Sequence, residues 1–180
     1  MSKFWIILFI ILSFSNTILA ESIMKAAKNG NLETVKELIE KGTSPNELDP
    51  DDWRETPPLL AAIKNKHSEV AKYLIERGAD SKVVDASGKN ALTHAAQVGA
   101  TDLIEILVKN GADIEIIPGD GTKRTPLVWA VLKEQEATAI ELIKNGAKTD
   151  VEWVHPTKNT THKLIDTVKE KGLNNLLKHF

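Results

Sequence analysis

The chain has 180 residues, 42% of them hydrophobic and 27% charged, the balance of a folded soluble protein and not of a disordered one. Its formal net charge of −2 provides no basic footprint for nucleic acid. With no cysteine at all, it can form no disulfide, cysteine-linked lipid anchor, thiol nucleophile or cysteine–zinc site.

The first twenty residues differ from the rest. Lys3 is their only charge, and Phe4 to Phe14 form an apolar run broken only by Ser13. Ser15, Asn16 and Thr17 follow, then Ile18, Leu19 and Ala20 before Glu21. A positive start, a short apolar stretch and a small final residue predict a signal peptide over 1–20, cut after Ala20. The rival reading is a membrane anchor. A spanning helix needs roughly 20 apolar residues, and this run is about half that length. The expected mature chain is periplasmic or secreted, carries a net charge of −3 after loss of Lys3, and has no membrane segment.

Four segments then repeat one another: Lys41-Gly42-Thr43, Arg77-Gly78-Ala79-Asp80, Asn110-Gly111-Ala112-Asp113 and Asn145-Gly146-Ala147-Lys148. Their glycines, at 42, 78, 111 and 146, are spaced by 36, 33 and 35. Such a period is the signature of a stacked repeat. An apolar helix end precedes each glycine: Leu38-Ile39, Leu74-Ile75, Leu107-Val108 and Leu142-Ile143. Earlier in each unit come small residues: Ala26-Ala27, Ala61-Ala62, Ala95-Ala96 and, less closely, Ala130-Val131.

One unit can be read physically. Thr125-Pro126 predicts a helix start, because threonine caps free amides and proline has no N–H to lose at the first helical position. The alanines allow close approach of neighbouring helices. Gln97-Val98-Gly99-Ala100 predicts a reversing turn, and Asp102 to Asn110 a second helix that buries Leu103, Ile106 and Leu107. Gly111 ends that helix, since glycine takes the left-handed conformation cheaply. One such unit cannot bury its own apolar face, but a stack of them can.

These residues resemble the ankyrin-repeat family. Thr125-Pro126-Leu127-Val128-Trp129-Ala130 is similar to the family's T-P-L-H-x-A. Ala95-Ala96-Gln97-Val98-Gly99 and Ala26-Ala27-Lys28-Asn29-Gly30 are similar to its A-A-x-x-G turn. The resemblance runs from about residue 22 to 151. It implies an all-α ankyrin-repeat solenoid of four helix-turn-helix repeats with hairpin loops, over 21–52, 53–85, 86–118 and 119–151. Residues 152–180 match poorly; Leu164, Ile165 and Val168, then Leu173, Leu176 and Leu177, predict two short helices of a degenerate C-terminal cap. There are departures. Met24, Leu60, Thr93 and Val128 stand where the family has histidine, and Pro57-Pro58 replaces the threonine–proline pair.

The chain shows no nucleophile elbow, zinc-protease motif, phosphate loop or dinucleotide glycine pattern. His67, His94, His155, His162 and His179 lack metal-ligand spacing, and His94 is expected to be structural or a contact residue. Glu47, Asp49, Asp51, Asp52 and Glu55 do not follow a calcium loop and read as a solvated acidic loop. Asn159-Thr160-Thr161 is a glycosylation sequon, meaningful only in a eukaryotic source.

The resemblance implies a monomer that binds another protein through its loop tips and concave inner helices, with no cofactor, metal, catalysis or nucleic acid. Counted back from each terminal glycine, the variable inner-helix position holds Lys25, Ala61, His94 and Trp129. For Trp129, packing against the last repeat is the alternative role. Trp53 follows the acidic cluster, and its alternative is packing on its own hairpin. Trp153 and His155 fall in the last loop. Ile114, Ile116 and Ile117 fall in the third, where Ile114-Glu115-Ile116 also suits a paired strand. The partner-binding candidates are therefore Lys25, Trp53, His94, Trp129 and Trp153. Three functions compete: an inhibitor or immunity-type protein for an envelope enzyme, an effector exported to a host cell, and an enzyme on this scaffold, for which no polar pocket is evident.

Overall fold

The computed structural model describes residues 21–119 and 121–180; the signal-peptide reading, on 1–20, lies outside the described residues. Helices come in antiparallel pairs: α1 (Ile23–Asn29) with α2 (Leu32–Glu40), α3 (Pro58–Lys64) with α4 (Ser68–Glu76), α5 (Ala91–Val98) with α6 (Ile104–Lys109), and α7 (Pro126–Leu132) with α8 (Glu136–Lys144). The inner helices α1, α3, α5 and α7 stack in chain order, and the outer helices form a second row behind them. Ala26, Ala27, Ala62, Ala95, Ala96 and Ala130 are fully buried between inner helices. Leu59, Leu74, Leu92, Leu107, Leu127 and Leu142 fill the space between rows. Each of these leucines contributes roughly 1.5–3 kcal/mol by leaving water.

The helix ends follow from the residues that make them. The side chains of Ser22, Asn90 and Thr125 accept the N–H groups of Lys25, Thr93 and Val128, and Pro126 opens α7. Pro57 offers α3 no side-chain cap. At the other end, Gly111 has φ +85°. Its N–H donates to the Val108 carbonyl at 2.9 Å, and the Ala112 N–H donates to Leu107 at 3.0 Å, the Schellman arrangement that satisfies free carbonyls. The same two bonds recur at Gly42, Gly78 and Gly146. The residue after the glycine tucks inward, which explains the small Ala79, Ala112 and Ala147.

The third outer helix differs from expectation. A 3-10 turn, Thr101–Leu103, precedes α6, and Ile104 is fully buried while Ile106 is only half-buried. Leu103, Ile104 and Leu107 share the inward face, so Leu103 and Leu107 are buried as predicted and Ile104 takes the place of Ile106. Ile114-Glu115-Ile116 forms no strand either. The Asp113 carboxylate accepts the Glu115 N–H at 2.9 Å and folds the segment into a turn. Successive loops are instead tied by side chains. Asn46 accepts the Asp80 N–H, and Glu115 accepts the Lys148 N–H, both at 2.8 Å.

The C-terminal segment holds a hairpin that the sequence reading did not anticipate. Strands β1 (Glu152–Val154) and β2 (Thr161–Lys163) pair antiparallel, with Trp153 opposite His162. Helix α9 (Leu164–Glu170) follows and packs on α7; of the two short helices expected there, the second is a 3-10 turn, Leu176–His179, packed on α8. Leu164, Val168, Leu173 and Leu176 are buried, so this segment covers the exposed end of the stack. The Asn159 sequon lies in the exposed turn between the strands. Among the described residues, no helix is long and apolar enough to cross a membrane.

Gly111→Val forces a β-branched side chain into a left-handed backbone position. It is expected to cost about 1–3 kcal/mol of stability, read as a lower urea midpoint; an unchanged midpoint contradicts this helix end.

Candidate functional site

The loops and the inner helices meet along one face, and a charged or aromatic cluster marks each junction. At the first, Lys25 on α1 lies 3.1 Å from Asp49 and 3.4 Å from Asp51. Asp49 is not the solvated residue expected: it is 3% exposed. Its carboxylate accepts the Ser22 hydroxyl at 2.6 Å and the Asp51 N–H at 2.9 Å. Those two bonds, with Lys25, hold its carboxyl below the ordinary carboxylate value. Asp52 accepts the N–H groups of Thr56 and Arg54 and shapes the following turn. The acidic cluster thus fastens a loop. Among the described residues, no three histidine or acidic side chains are placed to hold a metal ion.

At the second junction, Asp85 joins loop and helix. Its carboxylate accepts the Ser87 hydroxyl at 2.6 Å and the N–H groups of Ser87 and Lys89. Its other oxygen lies 3.2 Å from Lys64 on α3 and 2.9 Å from His94 on α5. Burial raises the Asp85 carboxyl, but these hydrogen bonds outweigh it and hold the group well below the ordinary value. His94 is 5% exposed. Burial, reinforced by Lys64 and Lys89 and opposed by Asp85, pushes its imidazole down to about 4. A carboxylate only accepts, so neutral His94 donates from Nε2. His94 therefore fixes the loop from inside rather than standing free on the surface.

The third junction is aromatic. Trp129 on α7 is half-buried. Lys89 Nζ lies 5.0 Å from its ring centroid, and the Arg124 guanidinium carbon 4.9 Å. Arg124 also lies 5.3 Å from the Trp153 ring, which stacks on His162 at 4.8 Å. The placement of Trp153 in an exposed loop is corrected here: it is 5% exposed, and its indole N–H donates to Thr167 Oγ1 at 3.1 Å. Pairing of β1 with β2 turns it inward over α9.

Exposed apolar side chains concentrate on the loops. Trp53 is 83% exposed, with only Arg54 over its ring at 4.8 Å, so it does not pack into its hairpin. Leu48, Val84 and Ile117 are also exposed, and each lies six residues after a helix-ending glycine, 42, 78 or 111. They occupy one register on three successive loops. Leu48 and Val84 escaped the sequence reading, though the glycine register would have revealed them. A groove of about 450 Å³ lies between two loop tips, lined by Trp53, Arg54, Lys64, Asp85 and Ser87.

Folded His94 titrates below its ordinary 6.5, so its contribution is complete above about pH 6.5 and is lost as pH falls toward 4. The loss in that window is expected to reach about 3 kcal/mol. His94→Gln should flatten this part of the stability–pH curve; equal slopes for both proteins contradict the assignment.

Comparison with known families places this geometry. A family model of ankyrin repeats in three copies matches residues 23–118 and again 83–153, the span of the stacked pairs up to the middle of β1. Among curated proteins, none matches the chain. The matched segments carry both helix rows and the loops that join them, and the chain belongs to the ankyrin-repeat family.

Proposed function

We propose that this ankyrin-repeat chain, a protein-interaction module, works outside the cytoplasm and acts by covering a partner protein, in the manner of an inhibitor or immunity protein. The observation that carries the reading is the concentration of exposed apolar side chains on the loop edge: Trp53, Leu48, Val84 and Ile117. Large apolar side chains exposed at one register on successive loops favour a protein contact, and an exposed tryptophan is a typical anchor. The extracytoplasmic part rests on the pattern of residues 1–20. The covering role rests on the shape of a small rigid scaffold that presents one long edge.

The test is a crosslinking pull-down from native cells with the full chain tagged at its C-terminus. One dominant envelope protein should be recovered. Trp53→Ala should weaken its binding by about 30-fold, with stability changed by no more than about 0.5 kcal/mol. If the captured protein is a hydrolase, stoichiometric addition of this chain should abolish its activity. Capture that is unaffected by Trp53→Ala contradicts the loop-edge reading; full activity of the complex contradicts the inhibitor role. The tagged protein should be recovered with Glu21 as its first residue, and a retained Met1 in the cytoplasmic fraction contradicts the extracytoplasmic reading.

A further inference from the structure

The clusters along the inner-helix face differ in one respect. Lys25 is neutralised by Asp49 and Asp51, and Lys64 by Asp85. Lys89 and Arg124 have no carboxylate within ion-pair distance among the described residues. They directly precede the helix caps Asn90 and Thr125 in adjacent repeats, which brings both to the same indole. Two N–H groups there are buried without an acceptor: Arg124 Nε and Trp129 Nε1. A buried donor without an acceptor is costly and uncommon. Here the two belong to side chains in contact, the Arg124 guanidinium lying against the Trp129 ring.

We propose that Lys89, Arg124 and the Trp129 indole form a clamp for a carboxylate, an aspartate or glutamate side chain on the partner protein. The clamp rests on the protein-binding reading above and specifies its chemistry. A carboxylate supplies only acceptors, so one group pairs with the Lys89 ammonium and the outer edge of the Arg124 guanidinium, with the Trp129 ring as the wall between them. The two cations already lie against the ring, so little ordering is needed when the acid arrives. The ion pairs at Lys25 and Lys64 confine recognition of a partner's negative charge to the C-terminal half of the face. Trp53 and the aliphatic edge supply apolar area, and the clamp supplies register.

The test uses the full chain labelled with 15N and two capped probes, hexaglutamate and hexaglutamine. Hexaglutamate should move the Trp129 indole N–H resonance, the reporter beside both cations, in a saturable, salt-sensitive way, and hexaglutamine should not. Lys89→Gln should weaken the response by about tenfold. It leaves the Arg124–Trp153 contact in place and so separates recognition from folding; Arg124→Gln should weaken it at least as much. An unmoved Trp129 resonance, or a response that persists in Lys89→Gln, overturns the clamp. An equal response to a thymidine hexanucleotide also overturns it, because the site would then take any anion. A captured partner whose binding needs Trp53 but not Lys89 would leave the protein-binding reading intact and remove the clamp alone.

Discussion

Each helix pair in this chain has an apolar side that only the next pair can cover. Everything else follows from that constraint. The fully buried alanines of α1, α3, α5 and α7 let backbones approach closely, and the glycine at the end of each outer helix returns the chain to begin the next pair. Stability in such a stack is a sum over neighbours, so the last pair needs a cover. The C-terminal segment supplies it with different parts: a hairpin holding Trp153, a short helix on α7 and a 3-10 turn on α8.

The stack leaves some surfaces free of packing and of local ion pairs. Its interior is committed to packing, and its outer helices carry short-range ion pairs such as Lys36 with Glu33 and Lys72 with Glu69. Loops and inner helices remain, and their charges are unevenly compensated. Asp49 and Asp85 are spent on fastening loops to α1, α3 and α5. Toward the C-terminal end, aromatic rings take the place of carboxylates beside Lys89 and Arg124. The face is therefore closed electrostatically at one end and open at the other.

Much of this was legible in the sequence because repeats amplify local signals. Gly42, Gly78, Gly111 and Gly146 marked the helix ends by spacing alone, and Thr125-Pro126 marked a start by its chemistry. The site was harder to read. Trp153 looked like a loop residue because no local pattern shows that β1 pairs with β2 and rotates it inward. His94 stood in the same helical column as Trp129, yet Asp85, nine residues before it, draws it into the structure. Asp49 looked like one of five solvated acids, since its contact with Ser22 spans 27 residues. Long-range pairings decide these cases, and a single sequence does not display them.

The central claim is that a protein partner is held at the loop edge and not at the outer helices. The direct test places a photo-crosslinking amino acid, in separate full-length chains, at Val84, Ile117, Glu69 and Glu105, followed by irradiation of native cells. Val84 and Ile117 lie on the loop edge; Glu69 and Glu105 are exposed on the outer row. The account predicts that positions 84 and 117 give the same crosslinked protein and that 69 and 105 give none. Crosslinks confined to 69 and 105 would contradict it, placing the contact on the opposite surface.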